Sequence, residues 1–315
     1  MKANRIERFG PPEVILYVDV DRPTPKEGEV LVRVKAAGVG PWDGWVRGGH
    51  SVRVDASALP VTLGSDIAGV VEAVGSAITQ LAPGDEVFGV TNGHFTGGYA
   101  EFAVADGGMV AKRPRSVSFA EAASIPVVAV TAWQMLFDHA KLETGQSVLV
   151  LGASGNVGAF AVQLASAEGI RVFASGRPDD SARFRSLGAH QIVEARAGAP
   201  DLAGIKVDAV IDTVGGELQH RALEALKSGG TLVSAVSALE ESLARNAGVK
   251  SVYFIVEVTT TCLVRIAALV DSGSLVPRVG LVLPLSDARI AHEMLEGVHP
   301  MPRGKIVLST DQSDS

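Results

Sequence analysis

Cysteine is almost absent: Cys262 is the only one in 315 residues. A disulfide within the chain is therefore excluded, and so is a metal site built from several thiolates. No block of Lys or Arg appears, and the formal net charge is −7. That balance argues against nucleic acid or an anionic membrane surface as a partner. No apolar run approaches the about 20 residues of a membrane span. The longest, such as IPVVAV, suit a strand or a core helix. The start, MKANRIERFG, carries no apolar signal core, which points to a cytoplasmic protein. What is present is an ordinary globular balance, 47% hydrophobic and 20% charged. The length suits two domains of roughly 100–200 residues each.

The first third of the chain is rich in valine, glycine and proline. The runs EVLVRVKAAGV, AGVVEAVG, DEVFGV and YAEFAVA read as short strands, punctuated by PKEGE, LAPGDE and NGHFTGG. This is the pattern of a β module with tight turns. From about residue 120 the rhythm changes. Phe119–Ala123 and Val130–Ala140 have helical spacing. SVLVL is then followed by a helix at Asn156–Glu168, RVFAS by one at Asp180–Leu187, and VDAVIDTV by one at Glu217–Leu226. TLVSAV and VYFIVEV complete a set of apolar strands, as expected for a parallel sheet covered on both faces. After a helix at Cys262–Val270 come GLVLPL, a short helix at Ala288–Leu295 and the strand GKIVLST. This tail resumes the β-rich grammar and is expected to return to the first domain. The polar end, Asp311–Ser315, is expected to fray. The predicted fold is therefore α/β: a β domain of residues 1–122, completed by 265–315, and a doubly wound parallel-sheet domain of residues 123–264.

The stretch Ser147 to Gly158, SVLVLGASGNVG, carries the most chemistry. An apolar strand enters a glycine-rich turn and a helix opens after it, the arrangement that holds a pyrophosphate. Gly155 lets the backbone approach the ligand, and Gly158 lets the helix pack on the strand. A lone glycine motif also occurs in turns without a ligand. Here the preceding strand, the following helix and the next strand all fit a dinucleotide site, with Ser154, Gly155, Asn156 and Val157 at its centre. The cofactor is discriminated about 20 residues further on, at the end of the second strand. That strand ends in Ser175, Gly176 and Arg177. No carboxylate stands at this point to repel a 2′-phosphate, and the Arg177 guanidinium is available to pair with one. The expectation is NADPH rather than NADH, although a surface arginine is more commonly just solvated.

With these residues in view, the chain resembles the medium-chain dehydrogenase/reductase superfamily, in its zinc-independent quinone oxidoreductase branch. The resemblance rests on VRVKAAGVGPWDGWVRGG, LGSDIAGVVEAVG, APGDEVFG, GGYAEF, the block from IPVVAVTAWQ through GQSVLVLGASGNVGAFAVQLA, then DTVGG, LKSGGTLVS and RGKIVL. It spans nearly the whole chain. It implies a GroES-like first domain and a Rossmann second domain. It also implies cofactor positions at Thr131, Val214, Ala235, Val236, Phe254, Ile255, Arg303 and Lys305. Gly40 belongs with them, standing where many members carry asparagine.

The zinc-dependent relatives need cysteine and histidine ligands in the first domain. This chain has Gly40-Pro41-Trp42-Asp43 and Gly64-Ser65-Asp66 at those places. A metal site is not expected, and Asp66 reads as a loop-fixing group bonded to neighbouring backbone. Without a Lewis acid the acceptor must itself take a hydride readily, as a quinone or conjugated enone does. Trp42, Asp43 and Trp45 are the substrate-pocket candidates, the tryptophans offering a flat wall to a planar acceptor. Taken singly, each tryptophan serves equally well as a core or loop anchor. His50, Ser51 and Arg53 read as a polar surface loop. Short-chain dehydrogenases need a Tyr-x-x-x-Lys pair, but Asp21, Ala103 and Glu257 stand four positions beyond the three tyrosines. Enoyl-thioester or 2-alkenal reduction on the same scaffold stays open, as does a nucleotide-binding protein with little turnover. The apolar run VYFIVEV is expected to be an edge strand that joins two copies into a homodimer.

Overall fold

The computed structural model describes residues 1–196 and 199–311. The chain divides into two compact units, Met1–Val127 with Val258–Ser315, and Val128–Glu257. The first break thus falls a few residues later than the sequence rhythm places it, and the second a few earlier. The second has a clear cause. The helix Thr260–Asp271 is bonded to the first unit through Thr260, whose N–H donates to Gly108 O at 2.8 Å and whose Oγ1 donates to Val110 O at 2.7 Å.

The first unit is built on one long strand, Glu29–Val39. It pairs with Asp66–Val74 on one side. On the other side it is shared: Phe102–Asp106 pairs with its first half and Lys305–Ser309 with its second. Val279–Pro284 lies beyond Lys305–Ser309, and Glu86–Val90 and Val110–Lys112 extend the opposite edge. Ile6, Val30, Val32, Leu63, Ile67, Val87, Ile306 and Leu308 form its core. The C-terminal strand therefore completes the GroES-like unit by antiparallel pairing of Ile306 with Val39.

The second unit holds six parallel strands in the order Gln191–Arg196, Arg171–Gly176, Ser147–Leu151, Val207–Asp212, Leu226–Ser234 and Lys250–Tyr253. This is the doubly wound order of a dinucleotide-binding sheet, reversing direction beside the first strand. A short strand, Ala199–Pro200, adds to Gln191–Arg196 in antiparallel sense. Ser147–Leu151 is buried along its whole length, which explains its unbroken apolar sequence.

Several elements differ from the sequence expectation. The helix Pro126–Trp133 passes into a π-helical turn, Gln134–His139. The expected helix at 217–226 is Gly216–Arg221 with a 3-10 turn, Ala222–Ala225, because Leu226 already opens the next strand. The run VYFIVEV is strand only to Tyr253. Its neighbour ends at Ser234, opposite Tyr253, and Phe254 keeps only a long N–H bond back to Ser234 O, at 3.4 Å. Residues 312–315 of the polar end lie outside the described chain.

Candidate cofactor site

The glycine turn has the shape its sequence requires. Gly152 has φ +76°, a backbone region that disfavours a side chain, and an added Cβ would meet Thr213 Oγ1 at 2.4 Å. Gly158 lies against the turn itself, where a Cβ would meet Gly152 O at 2.3 Å and Ala153 Cα at 2.8 Å. This contact lets the helix Asn156–Ala167 pack onto the first strand. Gly155, the N-cap of that helix, is exposed, and a Cβ there would meet only Gly152 O, at 3.3 Å. The helix N-terminus is thus open to a ligand on the side where its N–H groups lack intrahelical partners. The residues present fit a dinucleotide pyrophosphate. Ser154, Asn156 and Val157 are half-buried around the opening.

The end of the second strand lies beside this turn. Ser175 is buried and its carbonyl accepts from Ala153 N at 3.1 Å. Arg177 is exposed, and its side chain makes no hydrogen bond or ion pair among the described residues. One expectation needs correction here. The strand itself carries no carboxylate, but the 3-10 turn Pro178–Asp180 brings one back. Asp180 is 2% exposed, and Ser154 Oγ donates to its Oδ2 at 2.7 Å. Arg183, on the next helix, donates from Nη1 to Ser154 O at 3.4 Å. The sequence reading stopped at Arg177, and only the tight turn shows that Asp180 reaches the glycine motif.

The loops after the fourth and fifth strands are fixed by a second buried acid that the sequence reading did not single out. Asp212 is fully buried. Its Oδ1 accepts from Val214 N at 3.0 Å and Gly215 N at 2.8 Å. Its Oδ2 accepts from Gln219 Nε2 at 3.0 Å and Ser234 Oγ at 2.8 Å. Ser234 Oγ in turn accepts from Val236 N at 3.1 Å. One carboxylate therefore shapes the loops bearing Val214, Ala235 and Val236. Val214 and Val236 are left 47% and 41% exposed, apolar side chains held outward at the sheet's C-terminal edge. Phe254 packs on His139 with ring centroids 4.3 Å apart and planes tilted by 45°, Ile255 is exposed, and Thr131 is buried on the helix Pro126–Trp133.

In the first unit the candidates are arranged otherwise. Gly40 makes room for Trp42, since a Cβ there would meet the indole at 2.4 Å. Trp42 lies over Lys305, 4.2 Å from ammonium to ring, and its Nε1 donates to Ser65 Oγ at 3.0 Å. Trp45 is 52% exposed and lines a groove of about 540 Å³ with His50, Leu295 and Met301. The two tryptophans do not make one wall within this unit. Asp43 is fully buried, accepting from Gly40 N and Tyr99 OH, each at 2.8 Å. Burial pushes its carboxyl up to about 7, against the opposing pull of the Gly40 N–H, Lys305 and Tyr99. It is a structural cap of the helix Pro41–Gly48 rather than a group facing open space.

Asp66 and Lys305 also depart from expectation. Asp66 does not fix its own loop. Its Oδ1 accepts from Val127 N at 3.1 Å and its Oδ2 pairs with Lys305 Nζ at 3.1 Å, across 61 and 239 residues of chain. Both side chains are essentially dry, 0% and 2% exposed. The Lys305 ammonium is therefore committed to Asp66 and Trp42 rather than held out for a phosphate. Arg303 remains at the surface. Burial pushes the Asp66 carboxyl up from its ordinary range, and Lys305 opposes that shift.

This donor set does not fit zinc. Asp66 is neutralised by Lys305, and Ser65 receives the Trp42 indole N–H. Among the described residues, no three or more His, Cys, Asp or Glu side chains gather closely enough to hold a metal ion. Nor is any described helix long and apolar enough to cross a membrane.

Known proteins agree with this architecture. Residues 26–115 match the alcohol dehydrogenase GroES-like domain, and residues 187–308 match the zinc-binding dehydrogenase domain. A quinone oxidoreductase of Sus scrofa is 33% identical over 311 residues, covering 93% of each chain. The solved quinone oxidoreductase of Coxiella burnetii superposes with a TM-score of 0.88 at 30% identity, covering 99% of each chain. That of Escherichia coli, complexed with NADPH, superposes at 0.86 with 26% identity over 98% of this chain and 100% of its own. The chain belongs to the medium-chain dehydrogenase/reductase family, in its quinone oxidoreductase branch.

Proposed function

We propose that this protein is an NADPH-dependent reductase that delivers hydride to a quinone or conjugated carbonyl without a metal ion. The observation that carries the cofactor reading is the open turn at Gly155 with Arg177, unpaired among the described residues, beside it. The NADPH carried by the Escherichia coli relative supports it. The N–H groups at the start of the helix Asn156–Ala167 would hold the pyrophosphate. Arg177 would pair with the 2′-phosphate. Val214, Ala235, Val236, Phe254 and Ile255 would line the rest of the cofactor, with Thr131 toward its nicotinamide end. When bound, the reduced nicotinamide supplies the hydride. The apolar side chains at the sheet edge then serve to exclude water and hold the ring in one orientation. The donor set around Asp66 supports an acceptor that needs no Lewis acid.

A steady-state screen of NADPH oxidation against quinones, enals and enoyl thioesters tests this reading. Turnover with quinones or enones above the other acceptors is expected. A preference for enoyl thioesters would move the protein to the enoyl-reductase reading. Tight NADPH binding without turnover would make it a sensing protein. The edge strand Lys250–Tyr253, with Tyr253 47% exposed, supports a homodimer joined through this edge. Light scattering is expected to give twice the chain mass, and a monomer at every concentration would refute the pairing.

A further inference from the structure

The turn after the second strand carries two opposed signals. Arg177 enters it exposed and, among the described residues, without a side-chain partner, which favours a phosphate. Asp180 leaves it buried, with Ser154 Oγ donating to its carboxylate at 2.7 Å. A hydroxyl has one proton to give. Because Ser154 gives it to Asp180, only the lone pairs of Oγ remain for a ligand. Such an oxygen accepts from a ribose 2′-hydroxyl but has nothing to donate to a 2′-phosphate. The carboxylate behind it places a like charge near the phosphate, partly screened at this open turn and partly offset by the Arg183 guanidinium on the same serine. Ser154 sits in the glycine turn and the acid at the end of the second strand, the two places between which a dinucleotide-binding sheet reads the adenosine ribose. Arg183 holds the same serine by its carbonyl, so the residue is fixed from both sides.

We infer that Asp180, acting through Ser154, is the positioning residue that limits discrimination between the two nicotinamide dinucleotides, so the site takes NADH as well as NADPH. This rests on the nucleotide reading above and adds to it. Arg177 draws the 2′-phosphate in, Asp180 opposes it, and the Asp180–Ser154 pair rewards the free 2′-hydroxyl.

The test is a pair of binding titrations on the full chain, NADPH and NADH, followed by nucleotide fluorescence at fixed ionic strength. The parent protein is expected to bind both, with dissociation constants within about tenfold of each other, the size of one screened charge interaction. Asp180→Asn keeps an oxygen for Ser154 to donate to but removes the charge. It is expected to tighten NADPH by about tenfold and leave NADH unchanged or weaker. Asp180→Glu is expected to restore the parent ratio. Ser154→Ala, an independent variant with no buried charge change, is expected to weaken NADH several-fold more than NADPH. A merely structural Asp180 would weaken both nucleotides together. An NADPH-to-NADH ratio unchanged in both Asp180→Asn and Ser154→Ala overturns the inference while leaving the nucleotide site intact. Failure of the parent to bind either nucleotide overturns the site itself.

Discussion

Buried acids sit at comparable depth in both units, yet they do opposite things. In the first unit, Asp66 meets Lys305 and Val127, and Asp43 meets Gly40 and Tyr99. Beside them, His292 accepts from Arg47, and Arg47 also binds Gly10 O and Glu296. These bonds run inward and close the unit on itself. In the second unit, Asp212 accepts from two loops and turns Val214 and Val236 outward. Asp180 fixes Ser154 at the mouth of the glycine turn. The same chemistry that stabilises one unit therefore shapes an open edge in the other. Substitutions in the first should read out mainly as stability, and those in the second mainly as affinity.

Breaking the inward network should give the largest effect. Lys305→Met leaves Asp66 as an uncompensated buried charge, and a loss of about 3–5 kcal/mol in denaturant unfolding is expected. Adding Asp66→Asn to that variant should recover a good part of it, because no charge is then stranded. A smaller cost is expected at the helix–turn contact. Gly158→Val forces a side chain into Gly152 O and should cost about 1–3 kcal/mol, with loss of nucleotide binding as the turn shifts.

A subtler contrast lies in pH. The native Asp43 carboxyl holds its proton up to about 7, against 3.8 for the free group. Its contribution to stability is therefore full in acid and declines as pH rises through that window. Burial, with Arg47 adding to it, pushes His292 down to about 3 from 6.5. Its contribution is full above 6.5 and declines as pH falls. Between about pH 4 and 6.5 the two slopes are opposite and nearly equal, about 1.4 kcal/mol per pH unit each. Relative to the parent, Asp43→Asn should make stability rise with pH across this window, and His292→Leu should make it fall. Equal pH profiles for all three proteins would show that these groups titrate no differently in the folded and unfolded chains.

How far the sequence foretold this division depends on how local each feature is. The glycine turn was legible because strand, turn and helix are contiguous, and the exposed position of Arg177 because it directly follows the next strand. Asp180 lies only a few residues further, but its effect depends on the turn Pro178–Asp180 folding it back. The partnership of Asp66 with Lys305 was hidden by the 239 residues between them, so Asp66 reads from sequence as a loop-fixing group and Lys305 as a cofactor position. Trp42 and Trp45 looked like one aromatic wall from their spacing. Tertiary packing instead lays one on Lys305 and leaves the other in a groove. Apolar composition overstated VYFIVEV as a strand because pairing, not hydrophobicity, sets where a strand stops.

The smallest expected stability effect gives the most direct test. A Cβ at Gly155 meets almost nothing in the protein but stands in the mouth of the turn. Titrating NADPH into the parent and into Gly155→Val, with the unfolding midpoint of each, separates affinity from stability. The account predicts saturable binding by the parent. It predicts binding weaker by at least about tenfold in the variant, at a stability cost of no more than about 1 kcal/mol. Equal affinity in the two proteins, or no binding by the parent, would contradict it.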